Sequence, residues 1–216
     1  MPEADVVVEV FGEGKTDIGP GEGPRRPTKG VVPILLDRLC GEPASLRVKC
    51  RPFQFLQGKG LPQKVHFAKR QAFINRSKAA VFVIDSDGKL AEKRKDLEEG
   101  RSRAFPEFPM ALGVAHPCIE AWLLVHAGAI RRGLDLSATP KVPAEPESLP
   151  APCQDAARNP KRVLCELAGA GRKDLSSAEK DRIANAMNDF ALLRQRCPLG
   201  FAPFADGVEK QIRPLF

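Results

Sequence analysis

The chain has no tyrosine, one tryptophan and three histidines among its 216 residues. Without tyrosine it has no phenol oxygen to act as a covalent nucleophile on phosphate. Its six cysteines (Cys40, Cys50, Cys118, Cys153, Cys165 and Cys197) form no C-x-x-C pair, and no histidine stands at zinc-ligand spacing from a cysteine pair. They read as reduced, mostly packed thiols rather than as a zinc site or a disulfide framework. No apolar run approaches the roughly 18 residues that span a bilayer, so no membrane association is expected. The opening Met1-Pro2-Glu3-Ala4-Asp5 is acidic where a secretory signal starts basic, so a cytoplasmic protein is expected. No internal repeat is visible.

What is present is an ordinary apolar content of 43% and a chain long enough for one sizeable core with an appended helical lobe. The net charge of +7 is unevenly spread. From Arg25 to Lys78 there are thirteen Lys or Arg against two acids, Asp37 and Glu42, and the remainder is slightly acidic. A basic third on a near-neutral body suits a polyanion partner, with nucleic acid the first candidate; a solvated face that aids solubility is the alternative.

Apolar and β-branched runs place strands at about 5–12, 45–53, 79–84 and 110–115. In the second, Leu46, Val48 and Cys50 alternate with Arg47, Lys49 and Arg51, which implies one buried face and one basic, wet face. Helical patterns cover 31–41 and 62–77, then a mostly buried helix from Pro117 to about Ala129, and then 160–169, 176–196 and 204–213, while the highly charged 89–103 reads as a helix or as a looser excursion. Residues 18–30 are too rich in Gly and Pro for regular structure and read as a flexible basic loop over the first strand's end. Pro140, Pro143, Pro146, Pro150 and Pro152 mark a linker or surface loop. Strands alternating with helices give an α/β fold, a mainly parallel sheet of about four strands flanked by helices, with a C-terminal helical part. The expected division is an α/β domain over 1–136, and a Pro-rich connection with C-terminal helices over 137–216.

Two short acidic motifs carry the chemistry. Gly12-Glu13-Gly14-Lys15-Thr16-Asp17 follows the run Val6 to Phe11, and Asp85-Ser86-Asp87-Gly88 follows Ala79 to Ile84. Each reads as a buried strand running into a polar turn, and such carboxyl ends line the ligand crevice of an open α/β sheet. Gly14-Lys15-Thr16 imitates the end of a phosphate-binding P-loop, but that loop needs a glycine where Glu9 stands. Taken alone, the first motif is also a simple glycine turn, and the aspartates of the second also suit a helix cap. Three carboxylates in one crevice repel each other, and a divalent cation is the usual remedy. A further acid, Glu120, sits in the apolar run that follows Pro117 and needs a metal, an arginine or His116 as partner.

These residues together resemble the Toprim superfamily, in which a glutamate follows the first strand and a D-x-D follows a later one. Glu13 matches the glutamate, and Asp85 with Asp87 the D-x-D. Pro117-Cys118-Ile119-Glu120-Ala121-Trp122-Leu123-Leu124-Val125-His126 is similar to a stretch of the RloB-like Toprim proteins of bacterial phage-defence loci, with His116 and Ile119 replacing that family's asparagine and phenylalanine. The resemblance covers roughly residues 5–130. It implies Mg²⁺ (or Mn²⁺) held by Glu13, Asp85, Asp87 and Glu120, with Glu13, Asp85 and Asp87 catalytic. Toprim domains serve topoisomerases, primases and nucleases. The missing tyrosine removes the first, and there is little room for a primase's additional modules. A Mg²⁺-dependent nuclease is the expectation, with Lys15, Arg47, Lys49, Arg51, Lys69 and Arg70 as nucleic-acid contacts and an operon-encoded protein as a further partner. A non-catalytic nucleic-acid or nucleotide-binding module is the alternative.

Overall fold

Four β-rich runs form one sheet in the computed structural model, which describes residues 5–19, 29–103, 105–169 and 171–216, without the side chains of Lys15 and Thr16. The strands are β1 (Val6–Gly12), β2 (Leu46–Pro52), β3 (Ala79–Asp85) and β4 (Met110–Ala115). They lie in the order β2-β1-β3-β4 and every pairing is parallel. Parallel strands need crossovers, and helices supply them. A short α1 (Lys15–Ile18) and α2 (Val31–Leu39) join β1 to β2; α3 (Leu61–Ile74) joins β2 to β3; α4 (Leu90–Ser102) joins β3 to β4. Then come α5 (Glu120–Leu123), α6 (Ala127–Gly133), α7 (Pro160–Leu167), α8 (Ser177–Ala186), α9 (Phe190–Arg196) and α10 (Phe201–Gln211). The fold is α/β with C-terminal helices, and residues 20–28 of the expected basic loop (18–30) lie outside the described residues.

Side chains alternate across a strand, so β1, β3 and β4 each feed two cores. Val8, Val10, Val81 and Val83 face α2 and the C-terminal helices, while Phe11, Ala80, Phe82 and Ile84 face α3 and α4. The first core runs across residue 136: Ile34 and Leu35 of α2 share it with Ile183, Phe201 and Phe204. The Pro-rich segment is strapped down rather than free. Arg196 donates to the Ala144 carbonyl (2.9 Å) and to that of Pro143, and buried Glu147 accepts from the Leu199 and Gly200 amides at the start of α10 (2.7 and 2.6 Å).

Two helices break where the apolar pattern alone predicts continuity. The helix expected to run to Ala129 stops at Leu123, and His126 is extended (φ −105°, ψ 93°). The carbonyl freed at Val125 takes Arg196 (2.7 Å), and the His126 ring bonds the Asp189 carbonyl (2.8 Å). The pattern over 176–196 divides likewise into α8 and α9, because Asp189 turns its carboxylate to the Leu192 amide (2.8 Å) and starts a new helix. Along β2 only Leu46 is fully buried and Arg47 exposed; Val48 to Pro52 are all half-buried, so the expected wet face is weak. Among the described residues no helix is long and apolar enough to cross a membrane.

Candidate functional site

The connection from β1 leads to β2 on one side, and that from β3 leads to β4 on the other. The carboxyl ends of β1 and β3 therefore flank a topological switch point, where open α/β sheets form their ligand crevice. Phe11 pairs with Phe82, so Glu13 just beyond β1 and Asp85 at the end of β3 emerge side by side. Gly12 has no room for a side chain, because Ile18 folds back onto it. That doubling-back is what brings α1, and Asp17 with it, over the end of β1.

A further acid comes from the segment after β4. The Ile119 amide donates to Asp85 Oδ1 (2.9 Å), and the Asp87 amide to the Pro117 carbonyl (3.1 Å). Buried Ser86 completes the stitch, bonded to His116 Nδ1 (2.8 Å) and donating to the Pro117 carbonyl (3.2 Å). Glu120 follows, 2% exposed, at the start of α5. His116 is thus occupied by Ser86; the partner of Glu120 is Lys180, whose Nζ lies 2.8 Å from Oε1 and is equally buried. Asp87 has φ +49°, a left-handed conformation that aspartate tolerates, and its carboxylate accepts from Lys93 (2.8 Å). Lys93 also holds the Asp85 carbonyl (2.7 Å).

The electrostatics show that these groups share one space. Burial pushes the Glu13 carboxyl up, Asp87 and Asp17 push it further, and Lys93 and Lys161 oppose. Burial, then Glu120, Asp17 and Glu13, hold Asp85 well above the usual carboxylate range. Burial alone would raise Glu120 as well, but Lys180, Lys161 and the Cys118 thiol hold it below its ordinary value. Lys161, exposed at the start of α7, is driven up: desolvation opposes, but Glu120, Asp85 and Asp17 outweigh it. Glu13, Asp17, Asp85, Asp87 and Glu120 form one acidic cluster, tempered by Lys93, Lys161 and Lys180.

Among the described residues no group of three or more His, Cys, Asp or Glu is arranged to hold a metal ion. Two features nevertheless leave room for a cation. Glu120 Oε2 is buried without a hydrogen-bond partner, and the pull of Lys161 does not bring Asp85 back to an ordinary carboxyl. Mg²⁺ asks for only one or two protein carboxylates, with water and phosphate oxygens for the rest.

The expected nucleic-acid contacts do not converge on this cluster. Arg47 pairs with Asp5 (3.1 Å), and Arg51 with buried Glu9 (3.1 Å); with half-buried Lys49 they lie along β2, one strand beyond β1. Lys69 is a correction: it is 2% exposed and its ammonium donates inward to the Arg101 carbonyl (2.9 Å), capping α4. Arg70 is exposed on α3. The Lys15 side chain lies outside the described residues.

Sequence reading missed the three lysines and gave Asp17 no role in the site. Two signals pointed to the lysines. Lys161 follows Pro160 at a helix start, where a cation opposes the helix dipole and so needs an acid nearby. Lys180 lies on the same stripe of α8 as Ile183 and Ala184, where a charge needs a partner. Comparison of the chain with protein families, with curated proteins and with solved structures finds no match.

Proposed function

We propose that the chain is a divalent-cation-dependent phosphodiester hydrolase acting on nucleic acid. The observation that carries this reading is the meeting of Glu13 and Asp85 at the switch point of the sheet, with Asp17, Asp87 and Glu120 coupled to them and an exposed lysine beside them. The order of these acids along the chain is the order that the Toprim resemblance implies.

Asp85 and Asp87 would hold Mg²⁺ or Mn²⁺, with Glu120 behind them. Bound there, the cation would polarise the phosphate and ease ionisation of the attacking water. Glu13, part-desolvated, takes the water's proton. Lys161 meets the phosphate oxygens with its ammonium. Lys93, tied to the Asp85 carbonyl and the Asp87 carboxylate, keeps the two aspartates in register. Water forms the new P–O bond, the ester oxygen leaves, and solvent at the open crevice returns a proton to it.

One observation favours a second reading. Glu120 is ion-paired with Lys180 (2.8 Å), and Lys161 also favours its charge, which suits a nucleotide or nucleic-acid binding module that performs no turnover. Incubating labelled single- and double-stranded DNA and RNA with the protein in Mg²⁺, Mn²⁺ or chelator separates the two. Hydrolysis requires cation-dependent cleavage that falls by about a hundredfold or more in Asp85→Asn and in Glu13→Gln. Cleavage that survives both substitutions removes the proposal, and binding without cleavage in any cation supports the module.

A further inference from the structure

From Pro43 to Ile84 the chain has nine Lys or Arg and no Asp or Glu. This acid-free stretch builds β2, α3 and most of β3, and it carries the most exposed aromatic of the molecule, Phe55, at 76% exposure. Phe55 sits in a short 3₁₀ turn just past β2. Gly12 pairs with Pro52, so this turn leaves the sheet beside the point where Glu13 does.

From there a line of rings and cations continues along α3. The loop after Phe55 is pinned to that helix by the Lys59 amide on Gln63 Oε1 (2.8 Å) and lies against the Phe67 ring. Lys64 is seated over the Phe53 ring (4.8 Å). Phe67, Arg70 and Ile74 share one helix face at three- and four-residue spacing, with Arg70 and Ile74 exposed. At the far end Phe73, 49% exposed, stacks on Phe105 (centroids 4.4 Å apart, planes 16°). Beside that pair is an open hollow of about 580 Å³ lined by Phe73, Ile74, Arg76 and Lys78 among others, with no acid in its wall. The 14 residues of α3 separate the two ends by about 21 Å.

We infer that this outer face of the β2–α3 unit is a track for single-stranded nucleic acid, running from the Phe73 hollow to Phe55 and the carboxylate cluster. Cations attract a phosphate backbone, and open phenyl faces stack unpaired bases of any sequence. A duplex offers phosphates but no free base faces. An acidic peptide would meet the cations and leave the rings without a matching partner. The track rests on the proposed function for its direction toward the carboxylates, but its occupancy can be read without any turnover.

The test is fluorescence anisotropy of a labelled oligothymidylate, with duplex DNA and poly-glutamate as competitors, all in chelator. Wild type is expected to bind the single strand, with duplex competing at least tenfold less well. The Phe55→Ala/Phe73→Ala pair is expected to weaken binding about tenfold or more. Arg70→Ala is expected to reduce the slope of log affinity against log salt by about one. The pair should keep its circular dichroism spectrum, with a modest loss of melting temperature from the Phe73–Phe105 stack; Phe55→Ala alone, at a side chain 76% exposed, should melt like wild type and is expected to lose several-fold in binding, which repeats the test. The inference is overturned if the oligothymidylate does not bind saturably, if duplex or poly-glutamate displaces it equally well, or if the folded double variant binds like wild type. Because no cation is present, an absence of cleavage elsewhere leaves the track standing. An active enzyme whose KM is unchanged in the double variant overturns the track and leaves the hydrolase reading intact.

Discussion

Lys180 and Glu120 face each other inside the protein with 3% and 2% of their side chains exposed, and neither charge has water to fall back on. Removing one member of such a pair strands the other. Lys180→Met should therefore cost about 3–5 kcal/mol in urea unfolding. The double variant Lys180→Met/Glu120→Gln should recover much of that loss, which separates charge from packing. Asp85 is the opposite case, since burial and three neighbouring acids penalise its charge. Asp85→Asn keeps an acceptor for the Ile119 amide and removes the repulsion. It should raise stability at pH 7 in urea unfolding, because a carboxyl whose folded pKa lies above its unfolded value costs stability wherever it must ionise. A site residue whose loss stabilises the fold is retained for function rather than packing. At this scale Glu13, Asp85 and Asp87 were legible in the sequence, because each lies where a strand runs into a polar turn, and Glu120 because it interrupts an apolar run. The lysines were not, because Lys161 and Lys180 come from helices more than seventy residues past Asp85 and carry no strand-end motif.

The strands and the helices between them could be read closely: Met110–Ala115 is the fourth strand as patterned, and α3 and α4 lie within a few residues of their expected spans. Parallel strands buried on both faces leave continuous apolar runs, which are hard to mistake. The breaks at His126 and before Asp189 were hidden because they depend on distant groups, Arg196 and Arg38, that accept the job of satisfying the freed carbonyls. The start of α8 is local by contrast. Ser176 Oγ accepts the Glu179 amide (3.3 Å), and Glu179 Oε2 accepts the Ser176 amide (2.9 Å), a capping box. The Arg172 hydrogen bond first, then those from Ser176, push Glu179 down from 4.5 to about 2. A carboxylate with a lowered folded pKa contributes stability that is complete above its unfolded value and fades as pH falls through the folded one. Wild type should thus exceed Glu179→Gln by about 1 kcal/mol at pH 7, with the gap closing between pH 4.5 and about 2. A gap unchanged at pH 2 would mean that the cap acts through shape and not charge.

At the scale of the molecule, the C-terminal helices are part of the site and part of the core. Trp122 is fully buried and stacks on Phe204 (5.5 Å, 15°) with Phe201 edge-on (5.4 Å, 79°), so α5 and α10 share one aromatic centre. A fragment ending at residue 150 would expose the α2 face of the sheet and lose Lys161 and Lys180 together. It should show no cooperative melting transition, and Trp122→Ala in the full chain should cost about 3–5 kcal/mol. This dependence was invisible in the sequence because the Pro-rich segment looks like a linker; its backbone is instead held by Arg196, and its Glu147 carboxylate binds the amides at the start of α10. The central claim is that acids from β1 and β3 act together on a hard cation and a phosphate. Electron paramagnetic resonance of Mn²⁺, titrated into the protein with a non-hydrolysable single-stranded oligonucleotide present, tests it most directly. The account predicts about one Mn²⁺ bound per chain, with affinity at least tenfold weaker in Asp85→Asn. Mn²⁺ that stays free in solution, or binds the Asp85→Asn variant equally well, would contradict it.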